Sequence, residues 1–221
     1  MTRTATELLE TTTAKLAPDP QANPLVPLIA RGEASRDTLA TLALEQRWVI
    51  PADRLAFLHL AQRATEEPEA ADFFEMLADG EALAGERLQP FAEACGIDEA
   101  RTSAYEPLPG CQAYPSYVAW LALNATPTDA VLAISANFSA WGGYCATIAQ
   151  ALRVHYGFQD ESCAFFDFFA QPAPELDERA TAAVQAGLDA GFLDEEQAHG
   201  YGRLLQSYES LFWSTLLQLA Q

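Results

Sequence analysis

Positive charge is scarce: twelve Lys and Arg stand against 31 Asp and Glu in 221 residues, a formal net charge of −19. Nucleic-acid binding needs clustered Lys and Arg to neutralise phosphates, so this balance argues against DNA or RNA as a partner. An anionic membrane surface is disfavoured for the same reason. Long apolar runs are also missing, and no window approaches the roughly 18 residues of a membrane span. The start, Met1 to Glu7, lacks the basic-then-apolar order of a secretory signal, so a cytoplasmic location is expected. The four cysteines, Cys95, Cys111, Cys145 and Cys163, form no CxxC pair, which speaks against a zinc knuckle or a disulfide framework.

Metal and nucleotide signatures are lacking too. His59, His155 and His199 are far apart, and the two Glu-x-x-His motifs of a helical di-iron centre are not present. Nothing resembles a phosphate loop or a Ser/His/Asp triad. No metal, nucleotide or haem is expected. Convincing alternating strand patterns are absent as well.

What remains is helical periodicity. Ser35 caps a helix with apolar positions Leu39, Leu42, Val49 and Ile50; Pro51 is expected to kink or break it before Ala52 to Ala64 continues. A second helix follows Pro68 and stops at Gly96. Tyr105 to Pro115 reads as a loop, and Ser116 to Asn124 as a short apolar helix. Thr126-Pro-Thr-Asp129 opens a long, nearly uncharged helix to about Tyr156, the sort that lies buried inside a bundle. Glu175 to Ala190 is amphipathic and closed by Gly191, and a last helix starts at Asp194. The expectation is an all-α fold: one domain over residues 1–221, a bundle of about seven to eight helices.

Polar residues on the apolar stripes are the candidates for chemistry, because a polar group at a core position must be paired, protonated or functional. Glu81 falls on the stripe of Leu77 and Ala84. Gln46 and Asp53 lie on that of Leu39, Leu42, Val49 and Phe57, on either side of Pro51, while Glu45 and Arg47 flank it as surface pairs. Asn137 lies in the greasy helix with Trp141 and Tyr144 one and two turns on. Gly142-Gly143 there points to close packing, a distorted turn or open space beside Trp141. Glu209 is bracketed by Leu205, Tyr208, Phe212 and Trp213, surroundings that raise a carboxyl pKa.

The segment Tyr208-Glu-Ser-Leu-Phe-Trp213 resembles the Tyr-Glu-x-x-Phe-Trp segment of the thiaminase-II (TenA) family. Collinear with it, Asn23 to Ile50 is similar to that family's first long helix, Ala113-Tyr114-Pro-Ser-Tyr117 to its Ala-Tyr-x-x-Tyr stretch, and Ala133 to Tyr144 to its central helix. The resemblance covers roughly residues 20–217. It implies a haem-oxygenase-like fold of about seven helices around a central pocket, and a homo-oligomer. Glu209 then matches the family's proton-moving Glu, and Tyr114 or Tyr117 a pocket tyrosine. Asn137 stands where the family has its nucleophilic Cys, and Gln46 where it has its Asp.

The leading expectation is a metal-free enzyme acting on a small nitrogen-containing, cationic molecule by hydrolysis, elimination or cyclisation. Glu209 is its general acid/base, Asn137 a hydrogen-bonding partner, and Glu81 or Asp53 attracts positive charge between walls of Trp141, Tyr144 and Phe212. The alternatives are aminopyrimidine hydrolysis of the thiaminase-II type with altered residues, and a non-catalytic ligand-binding or regulatory protein.

Overall fold

A computed structural model describes residues 3–18 and 23–218, and every regular element among them is an α-helix. In chain order these are α1 (Ala5–Lys15), α2 (Leu25–Ala30), α3 (Arg36–Arg63), α4 (Pro68–Ala94), α5 (Glu99–Ala104), α6 (Pro109–Asn124), α7 (Pro127–Tyr156), α8 (Asp160–Ala170), α9 (Pro174–Ala190) and α10 (Glu195–Gln218). All except α2 and α5, of six residues each, run to eleven residues or more.

The helix ends follow local chemistry. Ser35 accepts the Thr38 N–H and starts α3, and Thr4 with Glu7 forms a capping box on α1. Prolines open α4, α6, α7 and α9, where a missing N–H costs no helical bond. Gly157 and Gly191 close α7 and α9 at φ 72°, a conformation that favours glycine.

Two expectations are corrected here. Pro51 neither breaks α3 nor divides it: the helix runs unbroken for 28 residues. Pro51 lies on the exposed side with Arg47, Trp48 and Arg54, where water can replace the lost backbone bond. Nor is Tyr105 to Pro115 a loop, because α6 begins at Pro109 and α5 precedes it. Pro109 is tolerated as an opening residue, which leaves only residues 105–108 as connection.

Glu45 secures that connection and is no surface residue. It is fully buried and accepts hydrogen bonds from the Tyr105 hydroxyl, the Leu108 N–H (2.7 Å) and Gln112 Nε2 (2.7 Å). His199 has a comparable structural part. Buried on α10, it meets Thr12 Oγ1 and Lys15 Nζ at 2.9 Å each and so ties down α1.

The core is in two clusters, and the long helices run through both. One holds Leu39 to Ile50 of α3, Ala84 to Ala92 of α4, Cys145 to Leu152 of α7 and Phe212 to Leu216 of α10. The other holds Ala56 to Leu60, Ala70 to Ala78, Ala130 to Ile134 and Ala198 to Leu205 of the same four helices. On α6, Cys111 belongs to the first and Tyr117 to Ala122 to the second. Each helix thus crosses a seam, and there the sequence places Asp53, Glu81, Tyr114, Asn137 and Glu209.

Glu45→Ala leaves the partly buried Leu108 N–H and Gln112 amide without their acceptor, and about 1–3 kcal/mol is lost for each such group. A denaturant titration is expected to show a loss of about 3 kcal/mol or more. A change below about 0.5 kcal/mol, the level of an ordinary surface substitution, would contradict the clamp.

Candidate active site

A cavity of about 60 Å³ lies at the seam, lined by Gln46, Val49, Asp53, Glu81, Tyr114, Asn137, Phe138, Trp141, Phe169, Glu209, Phe212 and Trp213. At about 10–15 Å³ for one water, this is room for several waters or a small ring. Helical spacing explains the convergence: Gln46, Val49 and Asp53 recur at three and four residues on α3, and Glu209, Phe212 and Trp213 do so on α10.

Glu209 is the best-defined group. Asn137 Nδ2 donates to its Oε2 at 2.9 Å and Trp213 Nε1 to its Oε1 at 3.3 Å. Burial raises its pKa and those two hydrogen bonds lower it, with a balance at about 7. Asn137 uses its amide N–H on Glu209, and its Oδ1 is left buried with no partner.

Asp53 and Glu81 face the same space from α3 and α4. Together with Asn137 and Glu209 they are only 4% to 8% exposed. Asp53 Oδ1 is a second buried acceptor without a donor. Burial pushes the Asp53 carboxyl far above its ordinary range, and burial with the charge of Asp53 does the same to Glu81. Burial and then the charges of Asp53, Glu209 and Glu81 raise the Tyr114 phenol and keep it protonated. Among the described residues no Lys, Arg or His lines the cavity.

Of the residues singled out from the sequence, Gln46, Asp53, Glu81, Tyr114, Asn137, Trp141, Glu209 and Phe212 meet in this cavity. Tyr117 and Tyr144 do not line it. Tyr117 stacks on Trp120 and tilts against Tyr208, and Tyr144 meets Trp213 edge-on. Trp213, four residues after Glu209 and within reach along the helix, is a hydrogen-bond donor that apolar patterning does not reveal. Phe138, Phe169 and Val49 complete the apolar wall.

The cysteine question has a plain answer. Cys145 is fully buried in the first cluster, and burial, then the charge of Glu209, raises its thiol pKa well above the ordinary value. It follows Asn137 by eight residues, about 12 Å along the axis, and does not line the cavity. Gly142 allows a close approach of α8, since a Cβ there would stand 3.0 Å from the Phe169 carbonyl oxygen, whereas Gly143 faces open space. Close packing therefore accounts for the first glycine, and α7 stays regular through both. Among the described residues no group of three or more His, Cys, Asp or Glu side chains is arranged to hold a metal ion.

A helical bundle of this kind is known from solved structures. The chain superposes on a domain of unknown function with a heme oxygenase-like fold from Shewanella denitrificans OS217, with TM-score 0.73 and 13% identity over 96% of this chain and 89% of that one. It also superposes on a TenA homologue from P. horikoshii OT3 (TM-score 0.66, 13% identity, 98% and 99% covered). A third is a TenA family transcription regulator from Silicibacter sp. TM1040 (TM-score 0.73, 15% identity, 95% and 96% covered). The fold is heme-oxygenase-like. The model of the TENA/THI-4/PQQC family matches residues 23–218, and the chain belongs to that family. No curated protein matches it. Among the described residues no helix is long and apolar enough to cross a membrane.

The raised carboxyls set a sign for stability against pH. Their folded pKa lies above the unfolded value, so the folded protein holds extra protons between the two, and stability falls as pH rises through that window. Asp53→Asn removes one such group and is expected to raise Tm at pH 8, with the gain shrinking towards pH 4. A variant no more stable than the wild type at pH 8 would count against a buried, uncompensated Asp53.

Proposed function

We propose that this protein is an enzyme that binds a small nitrogen-containing molecule at the seam and moves a proton with Glu209. The observation that carries the reading is Glu209 itself: a buried carboxyl held by Asn137 and Trp213, balanced near pH 7, at the wall of a cavity. A group that is half protonated at neutrality serves as either acid or base. The orphaned oxygens of Asp53 and Asn137 ask for hydrogen-bond donors, which ring N–H and amino groups supply. Phe138, Trp141, Phe169 and Phe212 offer flat surfaces to a ring.

Asn137 cannot act as the covalent nucleophile of a thiaminase-II-type reaction, and Cys145 is a buried thiol away from the cavity. Attack by water fits the residues present: Glu209 accepts the water's proton and returns it to the departing nitrogen. Elimination or cyclisation places the same demand on Glu209, proton removal at one atom and delivery at another. A regulatory role through ligand binding is the second reading, favoured by the loss of the cysteine. Direct contact with DNA conflicts with the net charge of −19. A cytoplasmic, homo-oligomeric protein belongs to the same proposal. Trp120 and Leu123 on α6 and Leu204 and Leu211 on α10, two adjoining helices, supply exposed apolar surface for association.

The test is a thermal-shift screen of nitrogen heterocycles, with thiamine and an aminomethylpyrimidine included, followed by turnover assays on every ligand found. Glu209→Gln is expected to cut kcat by about 100-fold or more, and the wild-type profile is expected to bend near pH 7. Full activity in the variant would refute the assigned base. Ligands that bind well and are never converted would transfer the case to the regulatory reading.

A further inference from the structure

The cavity contains two carboxyl centres that differ in kind. Glu209 is satisfied by two donors of the protein. Asp53 and Glu81 face one another's charge with no cationic side chain along the wall, and Asp53 Oδ1 has no partner at all. The titratable groups that face this pair are Tyr114 from α6 and Glu209 from α10. An isolated buried charge is costly, and two like charges together are costlier, so proteins do not place such a pair in an apolar core to hold helices together.

Position adds a second reason. Glu81 borders both the cavity and a wide surface groove edged by α1, α4, α8 and α9, as do Phe138, Trp141 and Phe169. A molecule entering from the groove meets Glu81 at the border of the two spaces, and Asp53 and Glu209 lie beyond it in the cavity. The groove carries Glu10, Asp72, Glu75, Asp79 and Asp177, while its two arginines are engaged, Arg179 with Glu175 and Arg87 over the Phe168 ring. The approach favours cations.

From the unpartnered Asp53 oxygen, the absence of any lining cation and the shared mouth, we infer that Asp53 and Glu81 form a separate anchoring subsite for a protonated amine or amidine. It binds the charged end of the substrate while the reacting nitrogen lies at Glu209. This rests on the reading of Glu209 as the proton carrier and narrows the substrate to a molecule with two nitrogen functions, one permanently cationic near neutrality. The empty pair retains a proton, because the second negative charge has nothing to offset it. An incoming cation supplies that offset, so binding releases the proton to solvent.

The experiment is isothermal titration calorimetry of the full chain at pH 7 with benzamidine hydrochloride and with benzamide, its uncharged isostere, in two buffers of different ionisation heat. Benzamidinium is expected to bind at least about tenfold more tightly than benzamide, with release of about one proton. Asp53→Asn and Glu81→Gln are each expected to abolish that preference, and Glu209→Gln to keep it. Equal binding of the two probes, no binding of benzamidinium, or a preference that survives in both pair variants would overturn the proposal. A preference lost only in Glu209→Gln would place the anchor at Glu209 and overturn it as well. Because the readout is equilibrium binding, a Glu209→Gln protein that retained turnover would remove the acid/base reading and leave this result standing.

Discussion

Three carboxyls, Asp53, Glu81 and Glu209, lie inside an apolar bundle without one positive side chain to offset them. That unfavourable arrangement is the constraint around which the site is organised. In a core of this kind a carboxyl either binds a proton or finds donors. Glu209 finds two and titrates near neutrality, whereas Asp53 and Glu81 find none in the protein and are pushed further up. In the function proposed, that difference makes Glu209 the proton-moving centre and Asp53 with Glu81 the charge-binding one, within a single small cavity.

The fold tolerates this because the cost is confined to one layer. On either side of the seam the helices are packed by Leu, Ile, Val, Ala and Phe, with Phe57, Phe73, Phe74, Phe91 and Trp213 among the largest fully buried side chains. Five helices pass through the layer: α3 contributes Gln46 and Asp53, and each of the other four contributes one polar group between apolar stretches. The side chains are therefore set by rigid helices, the kind of support that keeps a site within the geometry chemistry needs. Clamps such as Glu45 and His199 stabilise the periphery and leave the seam free of structural duties.

Much of this was legible in the sequence, and the failures have a common cause. Helix limits followed from Pro68, Pro127 and Gly191 because those residues act locally. Glu81, Asp53, Asn137 and Glu209 were recognisable because a polar residue on an apolar stripe is visible from spacing alone. The resemblance to the family's Ala-Tyr-x-x-Tyr stretch offers Tyr117 as a pocket residue, and helical spacing two turns after Asn137 offers Tyr144. Periodicity fixes the face and says nothing of the level along the axis, and both tyrosines lie one turn outside the layer. Glu45 was misjudged because its donors come from residues 105–112, a contact made by the tertiary fold.

The family gives the frame, and the substitutions give the individuality. With Asn137 and Gln46 in the cavity and Cys145 outside it, the proposed chemistry rests on hydrogen bonding and proton transfer and not on a thiolate. The central claim is that carboxyls at the seam hold protons at neutral pH, and carboxyl-carbon NMR titration of protein labelled at Asp and Glu reads this directly. Resonances assigned through Asp53→Asn, Glu81→Gln and Glu209→Gln are expected to show Glu209 titrating near pH 7 and at least one of the other two still protonated there. Three carboxyls that all titrate below about pH 5, as exposed ones do, would contradict it.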